Sequence, residues 1–181
     1  MKKLFIDCGV GVPHSESWRK DMWDGYTIIG LEPDPVRYNN LKDIFPGILL
    51  NVAASDKNEE ISGIYHNTSG FIAGGYPGYD EFHTVKAVTL DSIYKEYGPF
   101  DKCSIWADIE GSELRMLKGS EEVLKKTDWI TVELHTHPKT EEWCNSHDVY
   151  TFLENLGFTT NTKEKPQTEH DSCYDATFVR I

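Results

Sequence analysis

The sequence lacks any long apolar run. Nothing in its 181 residues approaches the roughly 20 consecutive apolar residues of a membrane-spanning helix, so a helical span is excluded. Cysteine is scarce and scattered. Cys8, Cys103, Cys144 and Cys173 contain no C-x-x-C pair, which argues against a zinc site or a disulfide framework. Positive charge is also short: 18 Lys and Arg stand against 30 Asp and Glu, a net charge of −12. Neutralising a phosphate backbone takes a basic surface, so a general nucleic-acid partner is excluded and a neutral or cationic small substrate fits better. There are no repeats, no low-complexity segments and no linker, so one domain over 1–181 is expected. The opening "MKKLFIDCG" meets Asp7 too soon for a signal peptide. It reads as a first strand, and a cytoplasmic location is expected.

Apolar runs alternate with amphipathic segments. "KLFIDCG", "YTIIGLEP" and "GILLNVAAS" read as the first three strands. Helices are expected between them at 15–25, capped by Ser15, and at 34–45, capped by Asp34 with Val36, Leu41 and Phe45 facing inward. Strand–helix–strand at this spacing implies a parallel sheet, and burial on both faces explains the continuous apolar runs. Further strands are expected at 60–66, 84–90, 103–109 and 129–135, with two more at the C-terminus. Helices are expected to start near Leu90, at 112–126 and at 146–157. Between the middle strands, "NTSGFIAGGYPGYDEF" (67–82) has no periodicity and reads as a mobile loop or lid.

The first chemical signal is "FIDCGVG". Gly9 and Gly11 let the backbone turn tightly and approach a ligand, and Glu32, at the end of the second strand, can accept from both hydroxyls of a ribose. A dinucleotide site normally carries a third glycine, where His14 stands here. S-adenosyl-L-methionine, with a ribose and no phosphate, is the other cofactor of this layout, and a strand–helix turn without ligand is the third reading.

Taken with "IGLEPDPVRYNNLK", "NVAASDKNEE", "VTLDSI", "IWADIEGSELRMLKGSEEVL", "ITVELH" and "DATFVRI", the chain resembles the FkbM-like family of S-adenosylmethionine-dependent methyltransferases. The resemblance implies an α/β class I methyltransferase fold: a doubly wound, mostly parallel, seven-stranded Rossmann-like sheet with helices on both faces and the last strand antiparallel. It implies methyl transfer to a hydroxyl of a carbohydrate or small metabolite. By position, Asp7, Gly9 and Gly11 would line the methionine and ribose part of the cofactor, Glu32 would hold the ribose hydroxyls, and Ala53 and Ala54 would approach the adenine. Gly11 and Pro13 replace an asparagine and a glycine of the family's usual first loop. Cover for the substrate is expected from 67–82 or from a partner subunit in a homo-oligomer.

"IWADIEGSEL" places three carboxylates within six positions. Asp108 ends a buried strand, costs desolvation unless it has a partner, and is expected to face the cofactor or the acceptor. Glu110 is a second catalytic candidate. Glu113 falls in a first helical turn, behind a Ser112 cap, where the helix dipole alone explains it. "VELHTHP" supplies Glu133, His135 and His137. His135 is expected to be the general base, with a backbone-capping histidine as the plain alternative. No metal is expected, although Asp108, Glu110 and a histidine could ligate magnesium or manganese. Tyr76 and Tyr79 either pack over a sugar ring or anchor the loop. A non-catalytic cofactor-binding module and a nicotinamide-dependent enzyme remain open.

Overall fold

The computed structural model describes residues 1–11, 23–76, 78–136, 143–165 and 173–181. In chain order its elements are β1 (Lys3–Cys8), β2 (Tyr26–Leu31), α1 (Pro35–Leu41), β3 (Ile48–Leu50), β4 (Ala53–Ala54), β5 (Glu59–His66), β6 (Gly70–Ala73), β7 (His83–Val88), α2 (Leu90–Tyr97), β8 (Lys102–Ala107), α3 (Glu113–Lys118), α4 (Glu121–Leu124), β9 (Thr127–His135), α5 (Ser146–Asn155), β10 (Phe158–Thr159) and β11 (Cys173–Arg180). Most of the expected helix at 15–25, with Ser15, His14 and Pro13, lies outside the described residues, as does His137. No helix among the described residues is long and apolar enough to cross a membrane.

Seven strands form the main sheet in the order β3-β2-β1-β8-β9-β11-β10. Only β11 runs against its neighbours β9 and β10. This is the class I methyltransferase arrangement. The apolar runs do what parallel strands require: Leu4, Phe5, Ile6 and Cys8 of β1 are fully enclosed, as are Cys103, Ile105 and Ala107 of β8. The chain winds outward from β1 to β3 and then returns to the other side of β1 with β8. The carboxyl ends of β1 and β8 therefore flank the point where strand order reverses, which is where open α/β sheets bind ligands.

Register fixes what stands at that edge. Cys8 pairs with Leu31 on one side and with Ala107 on the other, and Ala107 pairs with Val132. The next residue on each strand therefore falls in one row: Glu32, Gly9, Asp108, Glu133. Backbone bonds continue the ladder into this row, from Gly9 N–H to the Leu31 carbonyl and from Asp108 N–H to the Cys8 carbonyl, both 3.0 Å. One irregularity precedes it. Cys103 pairs with Thr127 but Ser104 pairs with Trp129, so β9 carries one extra residue, Asp128, at its start.

A second sheet, β4-β7-β5-β6, corrects two expectations. The stretch 47–55 is two strands in two sheets. The Asn51 side chain donates to the Glu32 and Pro33 carbonyls at 2.8 and 3.0 Å, interrupting the ladder, and Ala53–Ala54 then pairs with β7. The segment 67–82 is not wholly loop. Gly70–Ala73 is a strand paired antiparallel with β5, through a turn at 67–69. The helix expected at 112–126 is likewise two. Gly119 packs against the Ser55 carbonyl, and the Asp91 carboxylate accepts from the Glu122 and Val123 amides to begin α4 separately. Asp34 caps α1 as expected, and Leu41 and Phe45 are buried, but Val36 is 67% exposed on the helix's outer face.

Candidate active site

A cavity of about 190 Å³ opens at the carboxyl ends of β1, β2 and β8 and reaches the second sheet. Gly9, Gly11, Glu32, Ala53, Ala54, Asp108 and Glu110, all expected from the sequence, line it together. Two other expected residues do not. Asp7 is buried within β1, and His135 lies behind Glu110; neither borders the cavity. The far wall draws on 67–82, the segment expected to supply cover, and adds Arg37 and Ile61, which were not anticipated. It is built by Arg37 of α1 and by Ile61, Thr68, Ser69, Phe71 and Ala73 of the β5–β6 hairpin. Arg37 ties the two parts together, donating to the Asn67 and Thr68 carbonyls at 3.2 and 2.8 Å.

The loop after β1 passes so close to β8 that only glycine fits. A Cβ on Gly9 would lie 1.9 Å from the Asp108 carbonyl oxygen, and Gly9 holds φ +85°. Glu32 holds the same loop from the other side. Its Oε2 accepts from Gly11 N–H and its Oε1 from Asp34 N–H, both at 2.9 Å. Burial raises the Glu32 pKa, opposed by these two amides and by the nearby Arg37. Each carboxylate oxygen keeps a second lone pair, so the side chain can receive two hydroxyls from the cavity.

The acidic block divides differently from the expectation. Asp108 opens onto the cavity. Protein crowds it on its other sides, and this desolvation, partly offset by Glu133 and His135, raises its pKa. Glu133 stands next to it in the row at the strand ends, and the two carboxyls influence each other's protonation. Burial, followed by the Asp108 charge, pushes Glu133 up to about 8. Glu110 holds φ +52°, the one non-glycine in the left-handed region among the described residues. Its Oε2 lies 3.6 Å from His135 Nε2, and Glu133 Oε2 lies 3.5 Å from the same nitrogen. One donor atom from each of Glu110, Glu133 and His135 falls within 4.8 Å of the others, a set able to hold a metal ion. Glu133 shares a face with His135 through their spacing of two in β9, which was the signal available for it.

Glu113 is not a surface helix residue. It is 1% exposed, and its Oε1 accepts from Ile109 and Gly111 N–H at 3.2 and 3.3 Å. Ser112, expected to cap α3, makes no side-chain cap bond. Trp143 and Cys144 close over this loop. Trp143 occupies the space that a Cβ on Gly111 would take and packs its ring 4.5 Å from that of His135, while Cys144 Sγ donates to Glu113 Oε2 at 3.3 Å. Burial pushes Glu113 up to about 7 from an ordinary 4.5. The folded state therefore holds this proton more tightly than the unfolded chain. That stabilisation is complete below pH 4.5 and is lost as pH rises through about 7. The melting temperature is expected to fall between about pH 5 and pH 8, and Glu113→Gln to flatten that slope, as a calorimetric pH series would show.

The profile of the methyltransferase FkbM domain matches residues 7–160. No curated protein matches the sequence. Among solved structures the chain is similar to the plantazolicin methyltransferase in complex with SAH, at 7% identity over 98% of this chain and 75% of that one, with a TM-score of 0.52. It is also similar to magnesium protoporphyrin IX methyltransferase from Synechocystis PCC 6803 with bound SAH, at 10% identity over 99% and 75% of the two chains and a TM-score of 0.48. A third is precorrin-6y C5,15-methyltransferase from Geobacter metallireducens GS-15, at 15% identity over 100% and 82% and a TM-score of 0.47. The domain match spans most of the sequence, and the chain belongs to the FkbM family of S-adenosylmethionine-dependent methyltransferases.

Proposed function

We propose that this protein transfers a methyl group to a hydroxyl oxygen of a carbohydrate or small metabolite. The observation that carries the reading is the shared wall. Glu32 and the glycine loop border the same cavity as Asp108 and Glu110, so a cofactor and an acceptor can meet inside it. The residues fit S-adenosylmethionine: a buried carboxylate with lone pairs to spare suits a ribose diol, and the bare Gly9–Gly11 backbone admits close approach. That cofactor supplies a methyl group on a cationic sulfonium and leaves as a neutral thioether.

Gly9, Gly11 and Glu32 would hold its ribose and methionine side. Ala53 and Ala54 leave a small-residue surface for the adenine. Asp108 and Glu110 supply negative charge to the reacting end and meet the acceptor hydroxyl. The hydroxyl proton would pass to the Asp108 carboxylate on the cavity wall, with His135, behind Glu110, in the cluster beside it. Most of the rate would come from holding two reactants in line inside the cavity. An acceptor without phosphate suits a chain of net charge −12.

Calorimetry with S-adenosylhomocysteine tests the cofactor half. Binding by the wild type is expected; its absence overturns the reading. A labelled-methyl screen against glycans and hydroxylated metabolites tests the transfer half. Cofactor binding without a labelled product from any acceptor would favour a binding module of the same fold.

A further inference from the structure

We propose that Glu110, Glu133 and His135 bind a divalent transition cation at the inner edge of the cavity. The inference goes beyond methyl transfer, and only the use made of the ion rests on that reading.

Three observations converge. The first is the distances. His135 Nε2 stands 3.6 Å from Glu110 Oε2 and 3.5 Å from Glu133 Oε2. Both are too long for a hydrogen bond. They match the edges of a coordination polyhedron, because metal–ligand bonds of about 2.0–2.2 Å put tetrahedral ligands about 3.4 Å apart. One imidazole nitrogen aimed between two carboxylates is the arrangement such an ion needs.

The second is the construction. The His135 side chain is only 6% exposed, and the Trp143 ring holds it from the side. Glu110 is brought in by a left-handed backbone, and Glu133 by the register of β9. The three donors come from two different segments of the fold, and surface acidity does not account for them.

The third is the charge. The Asp108 charge acts on Glu133, and Glu110 and Glu133 both approach the same His135 nitrogen. Titratable groups around this point are Asp108 from the end of β8, Glu110 from the loop after it, Glu133 and His135 from β9, and Asp175 and Cys173 from β11, which pair in register with Glu133 and His135. Among the described residues Arg37, on the far wall of the cavity, is the one fixed cation acting on Asp108, and a divalent ion would balance the remaining carboxylate charge.

One nitrogen and two carboxylate oxygens suit manganese or zinc better than calcium, which takes six or more oxygens. Three protein ligands leave a position open. Of the three ligands only Glu110 borders the cavity, and an acceptor hydroxyl that reached such an ion from that side would be more acidic than one in water. His135 then acts as a ligand, and the role of general base expected for it from the sequence falls away.

The test uses metal-free protein titrated with Mn²⁺, free ion being read by electron paramagnetic resonance. The wild type is expected to bind one ion, with spin-echo modulation from a coordinated imidazole nitrogen. Glu110→Gln, Glu133→Gln and His135→Gln are each expected to bind at least about tenfold more weakly, and the last to lose the nitrogen signal. Glu81→Gln, on the exposed surface, is the control. Melting curves and S-adenosylhomocysteine binding on the same samples report folding. A wild type that takes up no Mn²⁺ or Zn²⁺ at millimolar concentration overturns the proposal, as do folded variants that bind Mn²⁺ like the wild type. If S-adenosylhomocysteine binds while the ion does not, the cation site alone fails. If the ion binds while S-adenosylhomocysteine does not, the methyltransferase reading fails and the cation site stands.

Discussion

Glu32→Ala is expected to weaken S-adenosylhomocysteine binding by about a hundredfold to ten-thousandfold. The estimate takes two ribose hydroxyls on one buried carboxylate, at about 1.5–3 kcal/mol for each hydrogen bond to a charged group. The variant also leaves the Gly11 and Asp34 amides without the oxygens that now accept from them, so the first loop loses its support from β2. Glu32→Gln separates the two effects. It keeps one carbonyl oxygen for an amide and converts the other acceptor into a donor, so it should retain more stability than affinity. Calorimetry well below the melting temperature reads the affinity. An alanine variant that binds as tightly as the wild type removes Glu32 from the cofactor site.

Gly9→Ala is expected to lower the melting temperature by roughly 4–20 °C. An added methyl meets the Asp108 carbonyl at 1.9 Å, and the residue must keep φ +85°. The left-handed backbone costs about 1–2 kcal/mol and the overpacking about 1–3 kcal/mol. For a chain of this size each kcal/mol moves the midpoint by roughly 2–4 °C. The effect reaches the site, because relieving the clash moves the Gly9 loop or Asp108, and both line the cavity. Differential scanning calorimetry decides it. A variant that melts with the wild type would mean that the two segments are not packed as closely as described.

The main sheet was legible because parallel strands buried on both faces print as uninterrupted apolar runs, as "KLFI" and "CSIWA" do. The glycine loop and Glu32 were legible because their chemistry follows each strand directly. What escaped depended on residues far apart in the chain. "GFIA" forms β6 only because β5 offers it a partner, and four residues among glycines carry no period of their own. Glu113 satisfied a local rule for helix starts, while its real environment comes from Trp143 and Cys144, some thirty residues later. His135 was recognised by its type, but its place behind Glu110 depends on how β9 sits against β8, which local spacing does not record.

That placement turns on the single extra residue in β9. Had β9 followed β8 evenly from the Cys103–Thr127 pair, Ala107 would face Thr131, and the position beside Asp108 would hold Val132. Asp128 shifts the strand by one place and brings Glu133 there instead. The bulge works as a gear tooth at the far end of the strand from the chemistry: skipping it would exchange a carboxylate for an aliphatic side chain and turn His135 to the opposite face, with no substitution anywhere in the site.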